Sequence, residues 1–490
     1  MPRFLRVCVL VASVGGVCCS GAESGSTSVP SIAIYSGDRV TDTTLAFLSE
    51  PLVFEVTDAH HTPLHGVRVT FSTGPRVPYP WQMTTIRPRG GGNFDYTVTD
   101  ETDYGGHVGV EIRLGSKAGS AFVKATVQGT GIIKPASFTI APGAPVGFGV
   151  APRDTSVLKN GSYTLRANLV DSYRNPRDDS VAYSVQRGQA SVTPSGLITG
   201  LATSRASILV TARGFQDSAA LSVVPLGRLA VYRPPNFVGD SGGLMIFRTD
   251  GALMHVVVRR SYPPPAEGPF AWAPSGAQVA YVAGNALMVM DTLGRVRQVV
   301  PGDNLPVSNE YPPEYSSDGQ WVYFTRGGYG YQQTCWRVRL DGTGLAQVSE
   351  VVPSGVEAGP SPNPADDRFV YLTNRVANGA PGPGLRILHL DTQAVDSIDT
   401  RGGYPRWSPV GDRIAFRGND ALLRTVKPDG TGLQLVGAQT IVGVGLAWSP
   451  DGSWLAAVGT GGLELVNANS GEVLPLAYGA DFILPPAWLH

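Results

Sequence analysis

Cysteine is nearly missing: of four in 490 residues, Cys8, Cys18 and Cys19 crowd the first nineteen positions, and Cys335 stands alone. A single thiol has no internal partner, so disulfide stapling is excluded for the rest of the chain. Thr334 and Trp336 beside Cys335 suggest a packed strand position, and no His lies close in sequence to activate a nucleophile. Charge is scarce as well. Charged residues make up 16%, and the formal net charge is −1, with a sequence pI near 6.7. That balance leaves no electrostatic footprint for nucleic acid or an anionic membrane. No stretch keeps the 3.6-residue apolar period of a core helix. There is no His-Glu-x-x-His motif, no Gly-Lys-Ser/Thr phosphate loop and no EF-hand-type acidic loop.

Glycine (61) and proline (39) are abundant instead, spread among short apolar alternations, which suits a turn-rich all-β chain better than disorder. One pattern recurs. PRWSPVGDRIAF (405–416) returns as LAWSPDGSWLAAV around Trp448, FAWAPSGAQVAYV around Trp272 and PEYSSDGQWVYFT around Tyr315. A degraded copy, SPNPADDRFVYLT, puts Pro362 where the aromatic belongs, and PPAWLH puts Trp488 there. Steps between these positions are 43, 47, 45, 41 and 40 residues. A period in the forties built from short strands marks a β-propeller with one four-stranded blade per repeat. The first five copies each lead to an Asp or Asn hairpin turn, at Asp291, Asp341, Asp391, Asp429 and Asn467. A sixth such half, with its turn at Asp250, precedes the first full repeat and lacks its own aromatic strand. The strand at Trp488 would complete it by pairing into the blade begun near Arg228, closing six blades and removing the open sheet edges. The repeat W-S-P-D-G-x-x-[LI]-A-[FV] followed by D-G-T-G resembles the TolB-type propeller repeat of bacterial exported proteins, over roughly the last half of the chain.

Ahead of the propeller, Val67, Val69 and Phe71 alternate, as do Val108, Val110 and Ile112, between frequent turns. Such spacing argues a β-sandwich. The stretch resembles the group 1 bacterial immunoglobulin-like domain of invasin-type surface proteins, with a Pro- and Gly-rich insertion at 75–92 that carries Tyr79 and Trp81. SVTPSGLITGLATSRASILVTA is similar to group 2 bacterial immunoglobulin-like domains. The N-terminus pairs Arg3 and Arg6 with the apolar run VCVLVASVGGV, the form of an export signal and too short to span a bilayer. Two cleavage readings stay open: at Ser20-Gly21-Ala22, or at a lipid-modified Cys18 or Cys19. The expected organisation is therefore a signal peptide over 1–22 and a tether over 23–30. An immunoglobulin-like sandwich over 31–143, a second over 144–226 and a six-bladed propeller over 227–490 follow, the last closed by the C-terminal strand.

Chemistry-bearing motifs are few. GDSGG (239–243) matches a serine-protease pentapeptide, but no His stands in a matching context, and a loop turn accounts for it. HHTPLH sets His60, His61 and His65 within six residues. Imidazoles ligate zinc or copper, yet no Cys, Asp or Glu lies inside this turn, so an exposed polar turn is the simpler account. The Asp ring at the hairpin turns has a local explanation in turn geometry. The expectation is thus no catalytic residue, no cofactor and no metal. The expected role is a non-catalytic exported envelope or surface protein, a scaffold or adhesin for an unidentified envelope protein or glycan. Membrane contact would come only through an N-terminal lipid. The alternative is a carbohydrate-active lyase or hydrolase working in the propeller channel. Contacts are expected from the loops entering the first strands of the blades, at Tyr262, Tyr311 and Tyr404, where aromatics can anchor a partner.

Overall fold

The computed structural model describes residues 30–74, 83–233, 243–259, 270–327, 332–350, 355–374, 384–398, 400–476 and 487–489. These are all strands, turns and loops, with no helix among them, and hence none long and apolar enough to cross a membrane. The chain forms two compact units, one of Met1–Gly147 with Val170–Arg177, the other of Phe148–Leu169 with Asp178–His490.

In the first unit, a four-stranded sheet (Ser31–Ser36, Leu52–Thr57, His107–Arg113, Thr85–Pro88) and a five-stranded sheet built around Gly119–Val127 and Ile132–Ala141 share one apolar core. Period-2 alternation sends Val69 and Phe71 inward, and Val108, Val110 and Ile112 meet them from the other sheet. Segment 170–177 belongs to this unit through side chains. Asp171 Oδ2 accepts from Gly143 N at 2.9 Å, and Asn175 Nδ2 donates to Ser116 O at 2.8 Å.

The second unit begins with the sheet Asp154–Leu158, Phe215–Val224, Ser204–Ala212 and Ala182–Arg187, whose first strand runs parallel to Ala220–Val224. β-propeller meanders follow. The first runs from Phe270–Trp272 to Val296–Val300, the second from Glu314–Tyr315 to Ala346–Gln347, and the third from Glu357–Pro362 to Val395–Ile398. The fourth opens with Gly402–Trp407. Its outer strand, Gln434–Trp448, runs on to open the fifth, which ends at Val473–Pro475. The seam sheet has two sources. Ala487–Leu489 pairs with Arg228–Arg233, placing Trp488 opposite Leu229, and Gly243–Arg248 and Leu253–Arg259 continue outward.

The repeated corner has one construction. After the first strand, Ser408 N bonds Arg413 O and Gly411 N bonds Ser408 O, both at 2.9 Å, with Gly411 at φ 77°. The same loop recurs at Gly276, Gly319 and Gly452, with φ of 68°, 69° and 68°. A left-handed backbone at the tightest point explains the repeated glycine. The hairpin aspartates are held within their own turns: Asp291 by Leu293 N and Arg295 N, Asp341 and Asp429 by Thr343 and Thr431.

Within the second unit the leading sheet is joined to the seam. Ser222 Oγ donates to Pro475 O at 2.8 Å, and Arg205 N to Glu472 Oε1 at 3.1 Å. Val224 is wholly buried and shares a core with Leu229, Val231, Trp454, Leu474 and Trp488.

Candidate functional site

The innermost propeller strands converge on a cavity of about 370 Å³. The repeat dictates its wall. Every copy contributes the aromatic position (Trp272, Tyr315, Pro362, Trp407, Trp448, Trp488), and every copy contributes the residue before it. That preceding position reads Ala271, Glu314, Ser361, Arg406, Ala447 and Ala487. Four of the six are small. The two charged ones are paired, Arg406 Nε to Glu314 Oε1 at 2.6 Å, and they come from the fourth and second meanders with the third between them. Arg406 is almost wholly buried, whereas the Glu314 side chain keeps a quarter of its surface exposed. Burial pushes the Glu314 carboxyl up and the Arg406 guanidinium down, and their mutual attraction opposes both shifts. Arg406 Nη1 also donates to Pro405 O at 3.0 Å.

Cross-strand bonds set the wall. Ser361 Oγ accepts from Trp407 N at 2.9 Å, and Trp448 Nε1 donates to Arg406 O at 3.1 Å. Each bond ties one meander to the next, so the lining is held from two sides. The Trp rings are 5–7% exposed and wedged in the walls, so they show the cavity little of their faces. Trp272 Nε1 and Tyr315 Oη are buried without a hydrogen-bond partner among the described residues.

Of the sequence-predicted contact residues, Tyr311 and Tyr404 fall among the described residues. Tyr262 is outside the described residues, as are Cys18, Cys19, the signal segment, Tyr79, Trp81 and Gly239–Gly242 of GDSGG. Tyr311 is 9% exposed, and its ring packs 5.4 Å from that of Tyr404, whose backbone sits at φ 53°. Neither lines the cavity. Tyr311 stands three residues before Glu314, ahead of its strand, and Tyr404 lies within Gly402–Trp407, two residues before Arg406; the cavity forms where those strands end. His60 and His61 are exposed in a turn where Asp58 Oδ1 accepts from His60 N and Thr62 N. His65 stacks on Tyr104 with centroids 4.0 Å apart. Among the described residues no three His, Cys, Asp or Glu groups stand where they could hold a metal. Cys335 is fully buried, its Sγ 3.4 Å from Glu357 O, and burial followed by the Glu357 charge holds the thiol well above its usual range. Motif reading passed over Glu314 and Arg406. The signal that could have found them is a charge at a position that is Ala or Ser in the other copies.

No family model matches the chain. An uncharacterized protein of Agrobacterium fabrum, Atu1656, is 30% identical over 115 residues, 21% of this chain and 38% of its own. The chain therefore spans well under half of that curated relative. Among solved structures, TolB from Acinetobacter baumannii aligns over 62% of this chain and 82% of its own, with 16% identity and a TM-score of 0.43. A putative TolB from Agrobacterium tumefaciens gives 13%, 51% and 87% coverage, and 0.38. An oligogalacturonate lyase in complex with manganese gives 13%, 68% and 99% coverage, and 0.36. At these scores function has to be argued from the chain's own residues.

Proposed function

We propose that this chain is a non-catalytic, exported binding scaffold of the cell envelope, and that its propeller takes a partner in the central cavity. Export is supported by Arg3, Arg6 and the apolar run that follows. The propeller is read as a closed ring of six blades. In support, the innermost strands touch in the circuit Ala487–Leu489, Phe270–Trp272, Glu314–Tyr315, Glu357–Pro362, Gly402–Trp407, Gln434–Trp448 and back to the first. The two leading modules are read as immunoglobulin-like sandwiches, in support of which each has two sheets around an alternating core.

The observation that carries the binding role is the convergence of all six repeat copies on one concave wall, with a single buried charge pair among small and apolar residues. Concave, mostly apolar sites with a few placed polar groups are where proteins hold ligands. Glu314 and Arg406 neutralise one another, which suits recognition rather than proton transfer by a free acid or base.

Filling the cavity tests this. Mature chain and its Ala447→Phe variant are used side by side to capture partners from an envelope extract, after both are shown to melt alike. Loss of a specific partner with the variant, by tenfold or more, is expected. Capture unchanged by the filled cavity removes the site from the channel, and turnover of a glycan by the wild-type chain would restore the enzyme alternative.

A further inference from the structure

We propose that Arg406 is an anion anchor held in reserve by Glu314, and that the cavity takes a peptide segment whose carboxylate displaces Glu314 from it. The proposal rests on the cavity being a binding site and names the chemistry that fills it. Position is the first argument. At the residue before the repeated aromatic, Ala or Ser occupies four copies and leaves the channel open, so a charge there is a departure from what packing requires. Both departures meet across the third meander, the copy with Pro362 in place of an aromatic.

Geometry is the second. A guanidinium recognises a carboxylate best through two parallel N–H bonds. Glu314 reaches Nε, Pro405 O takes Nη1, and Nη2 has no hydrogen-bond partner among the described residues. The fork is therefore only partly used, and an incoming carboxylate can engage Nε and Nη2 together. Burial is the third. Arg406 is 5% exposed in its side chain, and removing its counter-ion would leave a costly buried charge, so some carboxylate must stay beside it. Glu314 is the less buried partner of the pair, with a quarter of its side-chain surface exposed, and so the one placed to turn toward solvent. A ligand carboxylate can replace it without the cation ever being unpaired.

The wall favours peptide over sugar. Sugars stack on open aromatic faces, whereas these Trp rings are wedged into the walls. Prolines such as Pro274, Pro312, Pro364 and Pro450 line the remainder, and the volume lies at the small end of ligand sites. An Asp or Glu side chain and a chain-terminal carboxylate share the required chemistry.

The test uses mature full-length chain as wild type, Glu314→Gln, Arg406→Gln and the double variant, which leaves no unpaired charge should Arg406→Gln fail to fold. The probes are an amidated hexapeptide library with one fixed Glu, its Gln counterpart, a Gln library with free C-terminal acid, and trigalacturonate, titrated by calorimetry. Glu314→Gln is expected to bind one of the acidic libraries at least tenfold more tightly than wild type. Both variants lacking Arg406 should lose that preference over the amidated Gln library. Which acidic library gains identifies a side-chain or a terminal carboxylate. Equal binding of acidic and Gln libraries, or a preference that survives loss of Arg406, overturns the anchor. So does no binding of any library to Glu314→Gln. Arg406-dependent binding of trigalacturonate above either peptide library overturns the peptide assignment. Partner capture that Ala447→Phe abolishes but Arg406→Gln spares would leave the cavity as the site and reject only the anchor.

Discussion

Glu464 shows what a single side chain does inside a blade. It sits 3% exposed on Gly462–Asn467, opposite Ala457 on one side and Pro475 on the other, with no hydrogen-bond partner among the described residues. Its carboxyl fits because position 459 is glycine; a Cβ there would come within 3.0 Å of Oε1. Burial alone pushes the carboxyl up to about 7. A group whose folded pKa lies above its unfolded value binds more protons when folded. Its stabilising effect is fully present below the unfolded value near 4.5 and is lost as pH rises through about 7. Glu464→Gln removes that titration. Urea midpoints of variant and wild type should agree at pH 4.5 and diverge above pH 7, with the variant more stable by up to about 3 kcal/mol. A difference that stays constant with pH would show that Glu464 does not carry the effect. The Glu314–Arg406 pair is the other residue-scale feature, and it was illegible in the sequence for a physical reason. Each residue looks like an ordinary charge near a turn, and their meeting depends on which innermost strands face one another around the cavity.

At the scale of the element, the repeat was legible because a corner and a packed aromatic impose the same residues every time. Gly411, Gly452, Gly319 and Gly276 all take a left-handed backbone, and Ser316 and Ser449 each donate to an Asp two residues on. The corners differ in what surrounds them, which gives a graded prediction. A Cβ at Gly276 meets nothing within 4 Å, whereas at Gly452 it meets Val410 at 3.0 Å and Ser408 Oγ at 3.1 Å. Gly276→Ala should therefore cost only the backbone strain, about 1 kcal/mol. Gly452→Ala should cost clearly more, about 2–3 kcal/mol, because overpacking adds to the strain. Equal shifts in urea midpoint would mean that the crowding at Gly452 relaxes freely. Loops give a less specific signal than corners. Aromatics entering a blade, such as Tyr311 and Tyr404, give the same sequence signal whether they face a partner or each other, and here the two rings pack together. The division at Gly147 was also hidden, since segment 170–177 is tied to the first unit by Asp171 and Asn175 side chains that no period reveals.

At the scale of the molecule, the second unit joins its leading sheet to a sheet that depends on a strand from far along the chain. Three short pairings, Arg228 with Leu489, Leu229 with Trp488 and Ala230 with Ala487, hold that strand. Three residues give little ladder energy, so side-chain burial has to do most of the holding. Trp488 supplies it, 6% exposed and packed so closely on Gly227 that a Cβ there would lie 2.8 Å from its ring. Val224 continues the same core from the leading sheet, and Thr249 N bonds Gly227 O at 3.0 Å just beyond it. Leu226-Gly227 joins the leading sheet to Arg228–Arg233 with no longer linker, and the shared core runs across that connection. If the core is continuous, a cavity on one side must be felt on the other. Val224→Ala, costing about 2 kcal/mol by lost burial and cavity formation, should speed amide exchange in Ser204–Ala212 and in Trp454–Asn467 together. Trp488→Ala should do the same from the opposite direction, and more strongly. Faster exchange confined to the leading sheet in the first variant and to the propeller in the second would mean two cores that merely touch. Coupled exchange would make the leading sheet part of what keeps the seam shut.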